Sequence, residues 1–220
     1  MTFLELQNLT VSYLDDLQFG YFTQPQVQVW LNNAQRKVQR ILIDQKQNFY
    51  TKCVETVIPA NQCALILPLD FMMANRIEII TQGTYPNEVK FPLQPITMNE
   101  QDMVSRAPAT PQVYYFSKDL LKLAPVPNQD YRIKLIYSYS VADMVFPQQE
   151  PDIPYRYHEL LAVYAALDGF VKDDRDNNYL KGLAEEYITS MKAEANARQE
   201  QVARRVVAVN PYGSGFGGFW

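Results

Sequence analysis

The chain has one imidazole, His158, and two thiols, Cys53 and Cys63, so histidine- or thiolate-based chemistry has few places to occur. His158 stands beside Glu159 in what reads as a helix, and its expected role is a hydrogen bond on a helix face. Ten residues separate the thiols and ninety-five separate Cys63 from His158, without the close ligand pairs of a zinc module. Asp173-Asp174-Arg175-Asp176 offers carboxylates to calcium but lacks the glycine and bidentate glutamate of an EF-hand loop, so a solvated interhelix turn is expected. Gly213-Ser214-Gly215-Phe216-Gly217-Gly218 matches a phosphate fingerprint in form only. That motif needs a strand before it and a helix N-terminus after it, and here only Phe219 and Trp220 follow. Asp15-Asp16 and Glu185-Glu186 could pair as acid and base, but both are expected on exposed helix faces, where carboxylates are simply solvated. The expectation is a protein without catalysis, metal or cofactor. A small carboxylate-based enzyme is the alternative, and a deep pocket with two convergent carboxylates would mark it.

Nucleic acid has no specific signal either. The net charge is −4 and the sequence pI is near 5.1, the opposite of a basic footprint. Arg204 and Arg205 close the last helix, where the helix dipole favours cations, and Arg36, Lys37 and Arg40 read as an ordinary exposed face.

The elements that position these groups come from a globular composition, with 47% hydrophobic and 20% charged residues over 220 positions. A chain of this length buries a core without staples. Met1 to Leu6 has no basic region and carries Glu5 within its apolar stretch, unlike a signal peptide. No apolar run is long enough for a membrane span. A soluble protein made in a cytoplasm is expected.

Both ends read as helix. Thr2 and Glu5 form a capping box that opens a helix to about Leu17. Thr23, Pro25 and Gln26 open a second, about 24–47, with Val27, Trp30, Leu31, Ala34, Val38, Ile41 and Leu42 as its buried stripe. Between them and the next helices lies a β region, about 50–145. Twelve of the 14 prolines, all but Pro25 and Pro211, fall between Pro59 and Pro154 and forbid long helices there. Strands are expected at Val54–Ile58, Ala64–Leu67, Arg76–Thr81, Val113–Ser117 and Tyr131–Tyr139, forming a small antiparallel sheet or sandwich. In the last of these, Tyr131, Ile133, Leu135, Tyr137 and Tyr139 share one face. If Pro59-Ala60-Asn61-Gln62 turns a hairpin, Ile58 faces Cys63 and Cys53 faces Pro68. That register holds the thiols too far apart to bridge, leaving two buried free cysteines.

Helix returns at about 155–172, with His158, Leu161, Tyr164, Leu167 and Val171 as its stripe, and again at about 179–205. The fourth helix carries Leu180, Leu183, Tyr187, Ile188 and Met191. Beyond Met191 its apolar positions shrink to alanines, so its distal half has little to bury within one subunit. The order helix, helix, strands, helix, helix gives an α+β fold. Its N- and C-terminal helices form a bundle that carries the β insertion, with 1–205 a single domain and 206–220 an extended tail. In that tail sit four of the eight glycines, with Tyr212, Phe216, Phe219 and Trp220 and no charged side chain. Glycine loosens the backbone while four large aromatics are costly to leave in water, a combination suited to docking on a partner.

Taken in order, several pieces resemble the head-to-tail adaptor (connector, head-completion or tail tubular) proteins of tailed bacteriophages. Met1-Thr2-Phe3-Leu4-Glu5-Leu6 leads to Trp30-Leu31-Asn32-Asn33-Ala34. Val57-Ile58-Pro59-Ala60 precedes Leu67-Pro68-Leu69-Asp70-Phe71. Thr110-Pro111-Gln112-Val113-Tyr114-Tyr115-Phe116 precedes Leu121-Lys122-Leu123-Ala124-Pro125-Val126-Pro127. Pro151-Asp152-Ile153-Pro154-Tyr155-Arg156-Tyr157-His158-Glu159-Leu160-Leu161 opens the returning helices. The resemblance spans roughly residues 1–190. It implies a virion protein of the neck, assembled in the host cytoplasm as a ring of about twelve copies. It further implies docking to the portal above and to a tail or nozzle protein below, with double-stranded DNA passing without specific binding and no membrane contact. In several such adaptors the C-terminal segment lodges in the portal, which would make Asn210, Pro211, Tyr212, Phe216, Phe219 and Trp220 the docking residues. A stopper or tail-completion protein is the alternative within the same class of assembly.

Overall fold

The computed structural model describes residues 1–16, 19–45, 50–82, 89–103 and 107–208, with backbone alone at 81, 82, 101–103 and 198–208. Among these residues the chain forms four α-helices and two four-stranded sheets, mostly antiparallel: an α+β protein. It divides into two units, one of Met1–Gln47 with Val141–Trp220 and one of Asn48–Ser140.

In the first unit, helix α1 (Phe3–Leu14) opens on the expected capping box: Glu5 N donates to Thr2 Oγ1 at 3.3 Å, and Thr2 N donates to Glu5 Oε2 at 3.0 Å. Its buried residues, Phe3, Leu6, Gln7, Thr10, Val11 and Leu14, recur at helical spacing. The helix stops short of Leu17, which lies outside the described residues. Asp15 turns left-handed (φ 57°), and the Asp16 carboxylate accepts from the amides of Gly20, Tyr21 and Phe22. Those bonds hold the Asp16 carboxyl below its usual range, Phe22 contributing most. Asp15-Asp16 therefore closes a loop, where an exposed helix face was expected.

Helix α2 (Gln24–Asp44) follows, and Gln26 Oε1 accepts from Thr23 N at its start. Val27, Leu31, Ala34, Val38 and Leu42 are buried as the stripe required, joined by Ile43. Trp30 and Ile41 are only half-buried. Helix α3 (His158–Lys172) packs on α1, on α2 and on α4 (Asn178–Ala208). Three partners explain why Leu160 through Ala166 are buried without a break. Val171, expected in the buried stripe, is exposed: the last turn of α3 meets α1 and α2 through Gly169, and Val171 lies on the other side of that turn. At Gly169 a Cβ would lie 2.7 Å from a Leu14 methyl and 3.2 Å from the Trp30 ring, so glycine sets how closely α1 and α2 approach α3. Helix α4 buries Leu180, Ala184, Met191 and Ala195. Its burial thus continues a turn past Met191, the point where it was expected to fade.

Among the described residues the extended segment from Val141 to Met144 pairs with no strand, and α2 supplies side-chain amides in place of one. Asn32 donates to Met144 O (3.1 Å) and accepts from Met144 N (2.8 Å). Gln35 donates to Ala142 O (2.8 Å), and Gln39 accepts from Val141 N (3.2 Å). Residues 32, 35 and 39 lie on one helix face, so three amides replace a β-ladder and satisfy a backbone that would otherwise be left unpaired.

The second unit is built on β8 (Tyr131–Tyr139). It pairs antiparallel with β1 (Thr51–Ile58) on one side and with β3 (Phe71–Gln82) on the other. β3 in turn pairs with β4 (Val89–Pro92). The second sheet runs β2 (Ala64–Ile66), β7 (Leu120–Ala124), β6 (Val113–Ser117) and β5 (Gln94–Pro95), with β5 and β6 parallel. Ile58, Ile77, Ile79, Ile133, Leu135 and Tyr137 of the first sheet share one core with Tyr114, Leu121 and Leu123 of the second. The alternation along β8 holds, with Tyr131, Ile133, Leu135 and Tyr137 buried.

The hairpin between β1 and β2 does not form. Gln62 N donates to Pro59 O, so the turn exists, but the strands it joins enter different sheets. β1 finds eight paired positions on β8, among them Glu55 opposite Lys134. Glu55 is also ion-paired to Arg132 at 2.8 Å. Three-residue β2 could not match that pairing. Cys53 then lies on the outer face of an edge strand, exposed, and Cys63 is half-buried; both are free, and neither is the buried thiol that was expected.

Candidate functional site

Two of the side chains able to do chemistry, His158 and Glu159, act as fasteners. His158 is buried at the start of α3, its Nε2 donating to Ile153 O at 2.8 Å and its Nδ1 3.0 Å from the Met1 amine. Burial holds its pKa below the ordinary value of 6.5, keeping the ring neutral. The adjacent Glu159 accepts one hydrogen bond on each oxygen, from Tyr13 (2.8 Å) and Tyr187 (2.6 Å), and so ties α1 and α4 to α3. Burial and this carboxylate push the Tyr187 hydroxyl up to about 12 and the Tyr13 hydroxyl higher still. Both phenols stay protonated donors, so the trio is a clamp.

Asp173 to Asp176 form the turn after α3, where Asp173 pairs with Arg175 and Asp176 with Lys181; the carboxylates do not converge. Among the described residues no group of three or more His, Cys, Asp or Glu side chains is placed to hold a metal ion. Glu185 and Glu186 are exposed on α4. Arg204 and Arg205 lie in α4, but their side chains are outside the description, as are residues 213–218. Asn210, Pro211, Tyr212, Phe216, Phe219 and Trp220 lie outside it too. α4 runs to Ala208 and leads into them.

Surfaces stand out more than clefts. In the second unit, Ile66, Leu67, Leu69, Phe71 and Phe116 line an apolar groove beside the β6–β7 turn, with Lys118 and Asp119 at its polar end. Ile66 is 79% exposed and Leu69 fully so. Leu69 sits between Pro68 and Asp70 in a turn, and an apolar residue in a turn was the available sequence signal. In the first unit, Asn33, Arg36, Lys37, Arg40 and Ile41 of α2 line a basic groove of about 610 Å³. Arg36 Nη2 donates to both oxygens of Asp143, and the Lys37 ammonium lies 4.0 Å from the Tyr164 ring centre. The half-buried Asp168 carboxyl is raised by burial, against the pull of Lys37. Arg40 lies on the ordinary exposed face expected for all three cations, whereas Arg36 and Lys37 are engaged by their own subunit.

No large membrane-spanning candidate accompanies these surfaces: among the described residues no helix is long and apolar enough to cross a bilayer. Comparison with curated proteins gives no match. The sequence profile described as the SU10 adaptor protein, however, matches residues 1–211 of the 220. That span takes in every element of both units and the beginning of the tail. On this match the chain belongs to the SU10 adaptor protein family, a family of phage head-to-tail adaptors.

Proposed function

We propose that this chain is a structural, non-enzymatic virion subunit that forms a ring of about twelve copies beneath the portal and joins the DNA-filled head to the tail. The observation that carries this reading is the family match over residues 1–211. In this role the four helices act as a bundle that carries the β region as an insertion, and successive bundles form the wall of a channel. A downstream tail or nozzle protein docks on the other side of the ring. The net charge of −4 suits that channel, since a strongly basic lumen would hold passing DNA by its phosphates. Assembly takes place in the host cytoplasm, and the mature location is the head–tail neck.

Portal docking falls to the tail, with Asn210 and Pro211 at its start and Tyr212, Phe216, Phe219 and Trp220 as anchors. Burying one large aromatic contributes about 2–3 kcal/mol, and ordering a glycine-rich segment costs about 1–2 kcal/mol per residue. Four anchors therefore offset only part of that cost, and backbone hydrogen bonds to the portal supply the rest. Repetition around the ring multiplies weak single contacts into a firm joint. Deleting residues 210–220 and measuring portal binding tests this. The truncated chain should fold, with unchanged circular dichroism, and lose portal binding; equal binding would sink the docking role.

A further inference from the structure

We infer that the basic groove on α2 is one half of the contact between neighbouring copies, and that the outward face of α4 from the next copy fills it. The inference rests on the ring reading above and deepens it by naming the two faces. Arg36, Lys37, Arg40 and Ile41 lie three, four, seven and eight residues beyond Asn33, on one helix face, so the groove runs along the helix and fits another helix. Among the described residues its charge is met only in part from within. Arg36 has Asp143 and Lys37 lies over Tyr164, but Arg40 is exposed and makes no ion pair among the described residues.

The outward stripe of α4 complements it in charge and in shape. Glu185 and Glu186 are exposed on that stripe and make no ion pair among the described residues. Gly182 lies one turn before them and Thr189 and Ala193 one and two turns after, all exposed. Gly182 is the telling residue. A Cβ there would meet nothing within 4 Å, so nothing among the described residues requires glycine, although glycine weakens a helix interior. A second helix arriving at that face does require it. α2 and α4 both pack on α3 and present different stripes outward, so contact of one with the other is head-to-tail, the kind that closes into rings.

Sedimentation velocity of the full chain over a concentration series, alone and with portal, tests the pairing. Arg40→Glu should move association to about tenfold higher concentration, and Glu185→Lys with Glu186→Lys should do the same. All three changes in one chain should restore much of the association. Gly182→Gln should raise the melting temperature of the subunit while weakening association, a split that a role inside the subunit would not produce. If Arg40→Glu associates like the unaltered chain, the inference falls and the ring reading stands. If Arg40→Glu lowers retention of duplex DNA and leaves association unchanged, the groove is a phosphate contact and the inference again falls. An unaltered chain that stays monomeric at every concentration, with and without portal, removes both.

Discussion

The two units solve the same physical problem differently. In the helical unit each helix satisfies its own backbone, so the extended connection at 141–144 has no ladder to join and is held by Asn32, Gln35 and Gln39. The unit accordingly buries several polar side chains, Gln7, Thr10, Gln35, Gln39 and His158. In the β unit the ladders satisfy the backbone, and its core of Ile, Leu and Tyr side chains buries little polar beyond Glu78 and Ser138. Glu78 is paired to Arg76 at 2.6 Å, and Ser138 is hydrogen-bonded to Asn75. Where main chain pairs with main chain, side chains are released for surfaces, and an exposed apolar groove lies on the β unit. Where it does not, side chains are consumed as fasteners.

The largest effects should come from the two cores. Leu161→Ala in the helical unit and Leu135→Ala in the β unit each remove a fully buried side chain and should cost about 2–5 kcal/mol. Hydrogen exchange read by mass spectrometry should show each loss chiefly in the unit that carries the change. Equal losses in both units would break the division into two.

A second contrast lies between two glycines. Gly169→Ala should destabilise the helical unit by about 1–3 kcal/mol, because the new methyl meets Leu14. Gly182→Ala has open space and should stabilise by about 0.5–1 kcal/mol. Chemical denaturation of both variants checks the pair of signs. Among the fasteners, Gln39→Ala leaves the Val141 amide unpaired and should cost about 1–3 kcal/mol, with faster amide exchange at Val141.

Acid should separate the units further. The folded pKa of His158 lies below its unfolded value, so the unfolded chain takes up the proton first. Its contribution to stability is therefore full above about pH 6.5 and is lost as pH falls below that value. Asp70, in the β unit, is held below its ordinary 3.8 by the Lys52 hydrogen bond and then by that of Tyr137. Its contribution persists until pH falls below about 4. Thermal melts from pH 7 to 4 should show the helical unit weakening first, and His158→Gln should flatten that slope. The smallest effect is expected at Leu69→Ser, which should change stability by less than about 0.5 kcal/mol by the same melts, since that side chain is fully exposed.

Local chemistry made much of the fold legible in the sequence. Thr2 with Glu5 places the first helix start because both partners of the capping box lie within four residues. β8 is readable because Tyr131, Ile133, Leu135 and Tyr137 alternate without a break. The four-residue strand β4 and the five-residue β7 are too short for their alternation to stand out, and neither was anticipated. Val171 fits the periodicity of α3 yet is exposed, because periodicity marks apolar positions and not the side of the last turn on which the partners lie. The candidate docking tail was read from composition alone, four aromatics among four glycines.

Four helices, an antiparallel-rich β region and membership of the adaptor family were thus set by the sequence, since each depends on residues close together or on their order along the chain. Only the tertiary structure decided that β1 leaves β2 for β8, that Cys53 consequently faces outward, and that three amides of α2 hold residues 141–144. Those outcomes join residues about seventy to a hundred and ten positions apart. At that distance a strand or an amide has many partners of suitable chemistry, and the choice belongs to whichever arrangement satisfies the most backbone and buries the most apolar surface at once.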